Sequence, residues 1–423
     1  MQASVRQQLV EWLVAAAVAA ALLPLCGLLV PAASAPLPGH GVEFAAMAAD
    51  PFGFAGMFPH RVLWPALAHA AGWLGIGPVG FSHGCTAALL AVVFWICRRR
   101  GTGWTGALLV TAGVACSGAV LVYRTLACLS DPLNLLLLLL AFQLVHRPLA
   151  CWGLLLLGAL SHELAFFFAP FWWWLRVRHG GRPGREAALL LATAVAYAGW
   201  RLLVGLLAPA GPAGAVAPKY DALYYVTANF WVPYGLPAVW ALWWLVALAE
   251  FGPLLAAAVA GGRRRELGLG GPVGVVLYGT GVLLLMVLAY DVMRFATFLV
   301  LPVVLGGIAL VRTTAGRVAF GALIAAMVLA RRFTHPIPTE AGGRDFALAS
   351  GHILDLLQHG QSLATPAAAW RFSVELLWRL PGAAAFALAG TAAVAVAGCW
   401  LARYVGTASD AGSTPRTARN ASP

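Results

Sequence analysis

Charge is what this sequence has least of. Only 10% of its 423 residues are Asp, Glu, Lys or Arg, while 61% are hydrophobic. Soluble domains carry about 25% charged residues, so an ordinary soluble domain is excluded and a bilayer is the fitting solvent. Lysine is nearly missing: Lys219 is the single example among 27 basic residues. No C-x-x-C pair joins any of the seven cysteines (Cys26, Cys85, Cys97, Cys116, Cys128, Cys151 and Cys399), most of which lie in apolar runs. Cysteine as a small buried hydrophobe accounts for them, and neither a metal site nor a disulfide framework follows. No G-x-x-x-x-G-K-[ST] loop occurs, so ATP-driven transport by this chain alone has no support. Strand-length alternation with regular turns is missing too, which argues against an outer-membrane barrel. No internal repeat stands out. The net charge of +12 does not point to nucleic acid, because the arginines cluster in short loops, where they report orientation in a membrane.

What is present is a series of apolar runs, near 9–31, 79–97, 104–123, 132–145, 150–175, 187–208, 233–259, 271–289, 295–311, 318–331 and 382–402. Several reach the ~18–20 residues of a spanning helix. They predict an all-α, polytopic transmembrane bundle of roughly 10–12 membrane helices. Residues 1–403 form a single integral membrane domain in this reading, with interfacial helices in long outer loops. Residues 404–423 are a polar cytoplasmic tail without fixed structure. The stretch from Trp12 to Val30, followed by Ala33-Ser34-Ala35, resembles a signal peptide with a cleavage site. Its length, and the spans that follow, favour an uncleaved first helix.

With the N-terminus inside, the loops facing the cytoplasm are Arg98–Arg100, His146-Arg147, Arg176–Arg185, Arg263–Arg265 and Arg312–Arg317. All are basic, as the positive-inside rule requires, so the expected location is the cytoplasmic membrane with both termini inside. One condition attaches. Both flanks of 150–175 are basic, so this run must enter and leave on the same side. Two short helices then meet at an outward-pointing polar apex, Ser161-His162-Glu163, either as a re-entrant hairpin or as two thin spans. The long outer segments are 32–78, 209–232 and 332–380. FPHRVLWPALAHAAGWLG in the first and WRFSVELLWRL in the last are suited to lying in the interface.

The outer face collects the unusual residues: Glu43, Asp50, Asp131, Glu163, Asp221 and Asp291, with Arg61, Arg124 and Arg294. Asp50-Pro51 and Asp131-Pro132 each read as the start of a helix, since aspartate caps well and proline suits the first turn. Asp131 is expected at the outer surface, as a cap that can also line a cavity. Asp50, with His60 and Arg61 following, suits general-base work near a bound phosphate. Ser161 and Glu163 fit a helix start, but an ionisable apex inside an apolar hairpin also fits a cavity. Asp291 and Arg294, at i and i+3, read either as a surface ion pair or as a cation for a phosphate. Arg201 can snorkel outward or bind a lipid phosphate. Glu250 lies about 10 Å from it in depth, at 1.5 Å per residue, which disfavours a pair. His352, Asp355 and His359 form the polar stripe of an interfacial helix rather than a metal site. Tyr220, Tyr224, Tyr225, Phe230 and Trp231 read as an aromatic belt or as sugar-stacking platforms.

MAADPFGFAGMFPHRVLWPALA after the first run, then SDPLNLLL, LGALSHELAFFFAP and AYDVMRFATFLVLP, together resemble the GT-C-fold membrane glycosyltransferases, over roughly residues 1–400. The resemblance implies transfer of a sugar from a polyprenyl-phosphate donor to a glycan, lipid or protein outside the cytoplasm. It implies an acidic base in the first outer loop, Asp50 first and Glu43 second. Arg61, Arg124, Arg294 and Arg201 would meet the leaving phosphate, and His60, Asp131, His162, Glu163 and Asp291 would hold substrate. No D-x-D or D-x-E stands in that loop, so a divalent metal stays optional. A transporter or flippase of a lipid-linked substrate and a non-catalytic assembly subunit are the alternative readings.

Overall fold

The structure, a computed structural model, describes residues 5–30, 32–36, 40–53, 59–207, 244, 247–248, 250–262, 268–269, 271–288, 292–330 and 381–411. Among them there are helices and turns, and no strand. The first is α1 (Val5–Leu25), ending in a short 3-10 turn at Cys26–Leu28, followed by α2 (His40–Ala49) and α3 (Leu63–Gly72). Next come α4 (Pro78–Arg99), α5 (Trp104–Ala115), α6 (Gly118–Thr125) and α7 (Asp131–Gln143). A hairpin of α8 (Pro148–Ser161), a 3-10 segment (Glu163–Phe168) and α9 (Ala169–Arg178) leads into α10 (Pro183–Leu207). Then follow α11 (Leu254–Gly262), α12 (Pro272–Leu288), α13 (Val292–Ala296), α14 (Val300–Leu310), α15 (Thr314–Ala330) and α16 (Pro381–Ala411).

Proline and glycine punctuate these elements. Helices α4, α7, α8 and α9 carry proline in the first turn, where a missing N–H costs nothing. Gly101 and Gly180, just past α4 and α9, take positive φ of 80° and 90° and turn the chain away from the helix axis. The punctuation also divides the apolar runs. Among the described residues three helices are long and apolar enough to cross a membrane (Arg6–Leu28, Pro78–Arg99 and Pro183–Leu207), and a fourth span results if α5 and α6, bent by 47°, count as one. Helices α7, α8, α12, α14 and α15 are shorter apolar helices of 11–17 residues. Helix α7, with 13 residues, is about 20 Å long at 1.5 Å per residue, against a hydrocarbon core of ~30 Å.

Helix α4 is the central post. Its apolar window is 56% buried, against 22% for α1 and 17% for α10, which present most of their surface outward. One large core runs through α4, α5, α7 and α14. A smaller one, with Phe44, Trp64, Cys85, Cys128 and Leu133, seats α2 and α3 on the ends of α4 and α7. The rings of Phe168, Phe171, Tyr278 and Phe298 join the hairpin to α12 at centroid distances of 4.9–5.3 Å.

The described basic loops gather at one end of the bundle. Burial first, then His146, Arg100, Arg176 and Arg178, push the His179 imidazole below its ordinary value, and Arg312 acts on Arg100. Arg176 donates to the Val145 carbonyl and grips Glu186 with Nε at 3.1 Å and Nη2 at 2.7 Å. Both feet of the hairpin therefore stand at this end, as the two basic flanks of 150–175 predict. Helix α16 continues through Ala411, past the residue at which the tail was expected to begin. Once a helix is nucleated each added residue gains a hydrogen bond.

Candidate functional site

The opposite end holds two arginine–carboxylate pairs. Leading into α7, Cys128 has a φ of 66°, the one positive φ of a non-glycine among the described residues. Its N–H donates to Ser82 Oγ at 3.1 Å. This strained turn delivers Ser130 and Asp131 into the interior. Asp131 is fully buried and accepts from Arg294 Nε at 3.0 Å and Nη2 at 2.6 Å, both on Oδ2. Tyr123 donates to the Arg294 carbonyl at 3.1 Å and lies 2.8 Å from Thr297 Oγ1, fixing the short helix that carries the arginine. Asp131 Oδ1 and Ser130 Oγ are enclosed and have no hydrogen bond among the described residues.

The second pair is at the hairpin apex. Arg61, just ahead of α3, clasps Glu163 bidentately, Nε to Oε2 at 2.9 Å and Nη2 to Oε1 at 2.5 Å. His60 Nε2 and His162 Nδ1 flank the same Oε2 at 3.5 and 3.6 Å. Trp200 of α10 donates to the His60 carbonyl at 2.8 Å. Ser161 Oγ donates to the Ser130 carbonyl at 3.3 Å, and Asn134 to the His162 carbonyl at 3.5 Å, so the apex is bonded to the start of α7. His162 lies between the pairs: Arg61, Glu163, Asp131 and Arg294 all act on it electrostatically. On α10, Tyr197 is coupled to Glu163, Arg61 and Arg201, with Arg201 exposed.

Two expectations change, and a third acquires a second partner. Asp131 is not a cap at the surface: Ser130 holds the cap position with no side-chain cap bond, and Asp131, one residue on, is drawn inside by Arg294. Ser161 does not cap the helix after it but bonds across to the α7 turn. The described carboxylate on Arg294 is Asp131, 163 residues away in sequence, while Asp291 lies outside the described residues. Asp221, the aromatic cluster 220–231, the Arg263–Arg265 loop and the 332–380 loop with His352, Asp355 and His359 lie outside them as well.

Arg124, Asp50 and Glu43 make no described hydrogen bond to either pair. Arg124 donates to the carbonyls of Leu23 at 2.6 Å and Val30 at 2.9 Å, tying down the end of α1. Asp50 is exposed, its carboxylate folded over its own turn so that a Cβ at Gly53 would strike it. Glu43, half-buried on α2, has an enclosed Oε2 without a hydrogen bond, and burial raises its pKa above the ordinary carboxylate value. Among the described residues no group of three His, Cys, Asp or Glu is placed to hold a metal ion. Arg61 already occupies both oxygens of Glu163.

The chain matches no family model, no curated protein and no solved structure. The site therefore rests on its own chemistry. Fixed cations beside enclosed polar atoms can bind an anion. Sequence reasoning found Arg61, Asp131, His162, Glu163 and Arg294 singly, through charge in apolar surroundings, and missed how they pair. It also missed Tyr123, Ser130 and Tyr197, which carry no sequence signal beyond a hydroxyl in an apolar run.

Proposed function

We propose that this chain is a multi-pass protein of the cytoplasmic membrane, with the arginine-rich end inside. It transfers a sugar from a polyprenyl-phosphate donor to an acceptor on the other side, in the manner of the GT-C glycosyltransferases it resembles. One observation carries the proposal. Arg61, His162, Glu163, Asp131 and Arg294 come from widely separated positions and converge at one end of the bundle, with Asp131 Oδ1, Ser130 Oγ and His162 Nδ1 enclosed and without hydrogen bonds among the described residues. Buried polar groups normally find partners, and a substrate that supplies them explains their retention.

In this reading the acceptor hydroxyl oxygen attacks the anomeric carbon as its proton passes to a carboxylate. The bond from that carbon to the phosphate oxygen breaks with inversion, and polyprenyl phosphate leaves toward the arginines. Glu43, half-buried on α2 with an enclosed carboxylate oxygen, is the preferred base, and exposed Asp50 the second. Protein in lipid vesicles with a polyprenyl-phosphate sugar and a glycan acceptor should release polyprenyl phosphate. Glu43→Gln should lower that rate about 10²–10⁴-fold with donor binding kept, and Asp50→Asn should lower it less. Unchanged turnover in both variants overturns the assignment of the base. No release with any acceptor overturns the enzyme.

A lipid flippase is the second reading, favoured by the interrupted helices at the α5–α6 bend and the hairpin apex. It requires movement of lipid across vesicles without acceptor, undiminished by Glu43→Gln.

A further inference from the structure

At the arginine-rich end, away from the candidate site, a hollow of about 390 Å³ opens between the start of α1 and the α4–α5 turn. Arg6, Gln7, Val10, Glu11, Arg98 and Trp104 line it. Two of the six are cations and one is an anion, so the lining is net positive.

Arg98 is set in place before any ligand arrives. Its Nη1 donates to the Thr102 carbonyl at 2.7 Å, its guanidinium carbon lies 4.1 Å over the Trp104 ring, and Nη2 is 3.6 Å from Glu11 Oε1. Glu11 itself is 6% exposed. The Nε of Arg98 is enclosed, without a partner among the described residues, so the remaining N–H groups of Nη1 and Nη2 are the ones that can meet a ligand. A guanidinium has five N–H donors in a rigid fork that matches phosphate oxygens, so this one has donors to spare. Arg6, exposed on the first turn of α1, adds a second cation from the other wall.

The surface beyond the hollow is greasy. Leu9, Val10 and Leu13 on α1 are 58%, 47% and 61% exposed, and Trp104 and Leu108, one turn apart on α5, are 47% and 45% exposed. A cationic mouth above an open apolar wall matches an amphiphile whose anionic head and alkyl chains part at that level. A small soluble anion would make no use of the wall.

We propose that this hollow is a specific site for the phosphate head of an anionic phospholipid, with Arg6 and Arg98 on the phosphate and the acyl chains along α1 and α5. The site is independent of the sugar-transfer reading, and either proposal can fail alone. Native mass spectrometry of the full chain in detergent, titrated with phosphatidylglycerol, with phosphatidylcholine or with inorganic phosphate, tests it. We expect one phosphatidylglycerol retained per chain, phosphatidylcholine retained roughly tenfold less or weaker still, and no retention of inorganic phosphate. Arg98→Gln should weaken phosphatidylglycerol retention by roughly tenfold or more. Arg6→Ala, at an exposed position with little effect on folding, should weaken it in the same direction while the thermal midpoint stays put. Equal retention of the two lipids, or wild-type retention by Arg6→Ala and Arg98→Gln, overturns the site. Inorganic phosphate bound as well as the lipid overturns the lipid as its occupant.

Discussion

Asp131 and Arg294 hold opposite charges where neither reaches solvent, at 0% and 5% exposure. Taking two ions out of water costs several kcal/mol each, and close pairing offsets this only when the geometry is good. Removing one partner exposes that cost. Asp131→Asn should lower stability by about 3–5 kcal/mol, seen as a drop in the thermal midpoint in detergent, and the double variant with Arg294→Gln should recover most of it. A single variant as stable as the native chain would contradict the pairing. A chain that keeps such a pair, next to an aspartate oxygen with no described hydrogen bond, retains an arrangement that stability alone does not require. The same holds for Cys128, whose positive φ strains the turn beside Asp131. From sequence both charges were visible as anomalies in apolar runs, but their pairing was not. A pair 163 residues apart leaves no local pattern.

At the scale of elements, close approach matters more than hydrophobicity, since lipid is as apolar as leucine and gives helices little reason to associate. Helices α11 and α14 meet where a Cβ at Gly306 would land on the Ala257 carbonyl, and α16 crosses where one at Gly398 would come within 2.7 Å of Val259 Cβ. Gly306→Ala should therefore force the backbones apart and cost about 1–3 kcal/mol. Gly199→Ala on α10, with nothing within 4 Å of the new methyl, should cost nothing. Thermal unfolding of the two variants in detergent checks the contrast, and equal midpoints would mean that α11 and α14 do not touch there. Apolar runs marked the helices in the sequence, and prolines and glycines marked many of their ends. The 47° bend between α5 and α6 was not legible, because 104–123 reads as one apolar run.

For the whole molecule, polarity along the bundle axis is the main feature. Arg100, Arg176, His179 and Arg312 share one end, while Asp131, His162, Glu163 and Arg61 share the other. If the arginine-rich end faces the cytoplasm, a cysteine placed at exposed Arg182 should react with a membrane-impermeant maleimide only after cells are opened. One placed at Leu74, 80% exposed beyond α3, should react in intact cells. The described native cysteines are buried or half-buried, so background labelling should be low. The reverse labelling pattern would invert the topology and move the proposed sugar-transfer site to the cytoplasmic face.

Composition and the spacing of apolar runs by themselves determined the helical class, the gathering of the described basic loops at one end and the turn-back of the chain at Ser161-His162-Glu163. Each of these follows from local rules: hydropathy, the cost of placing charge in lipid, and the positions of proline and glycine. Tertiary structure alone decided that Arg61 meets Glu163, that Arg294 meets Asp131 rather than standing at a surface, and that Arg124 ties down the end of α1. Those outcomes depend on which distant helices pack together, and the strength of an ion pair depends on distance and burial, which only the folded chain defines.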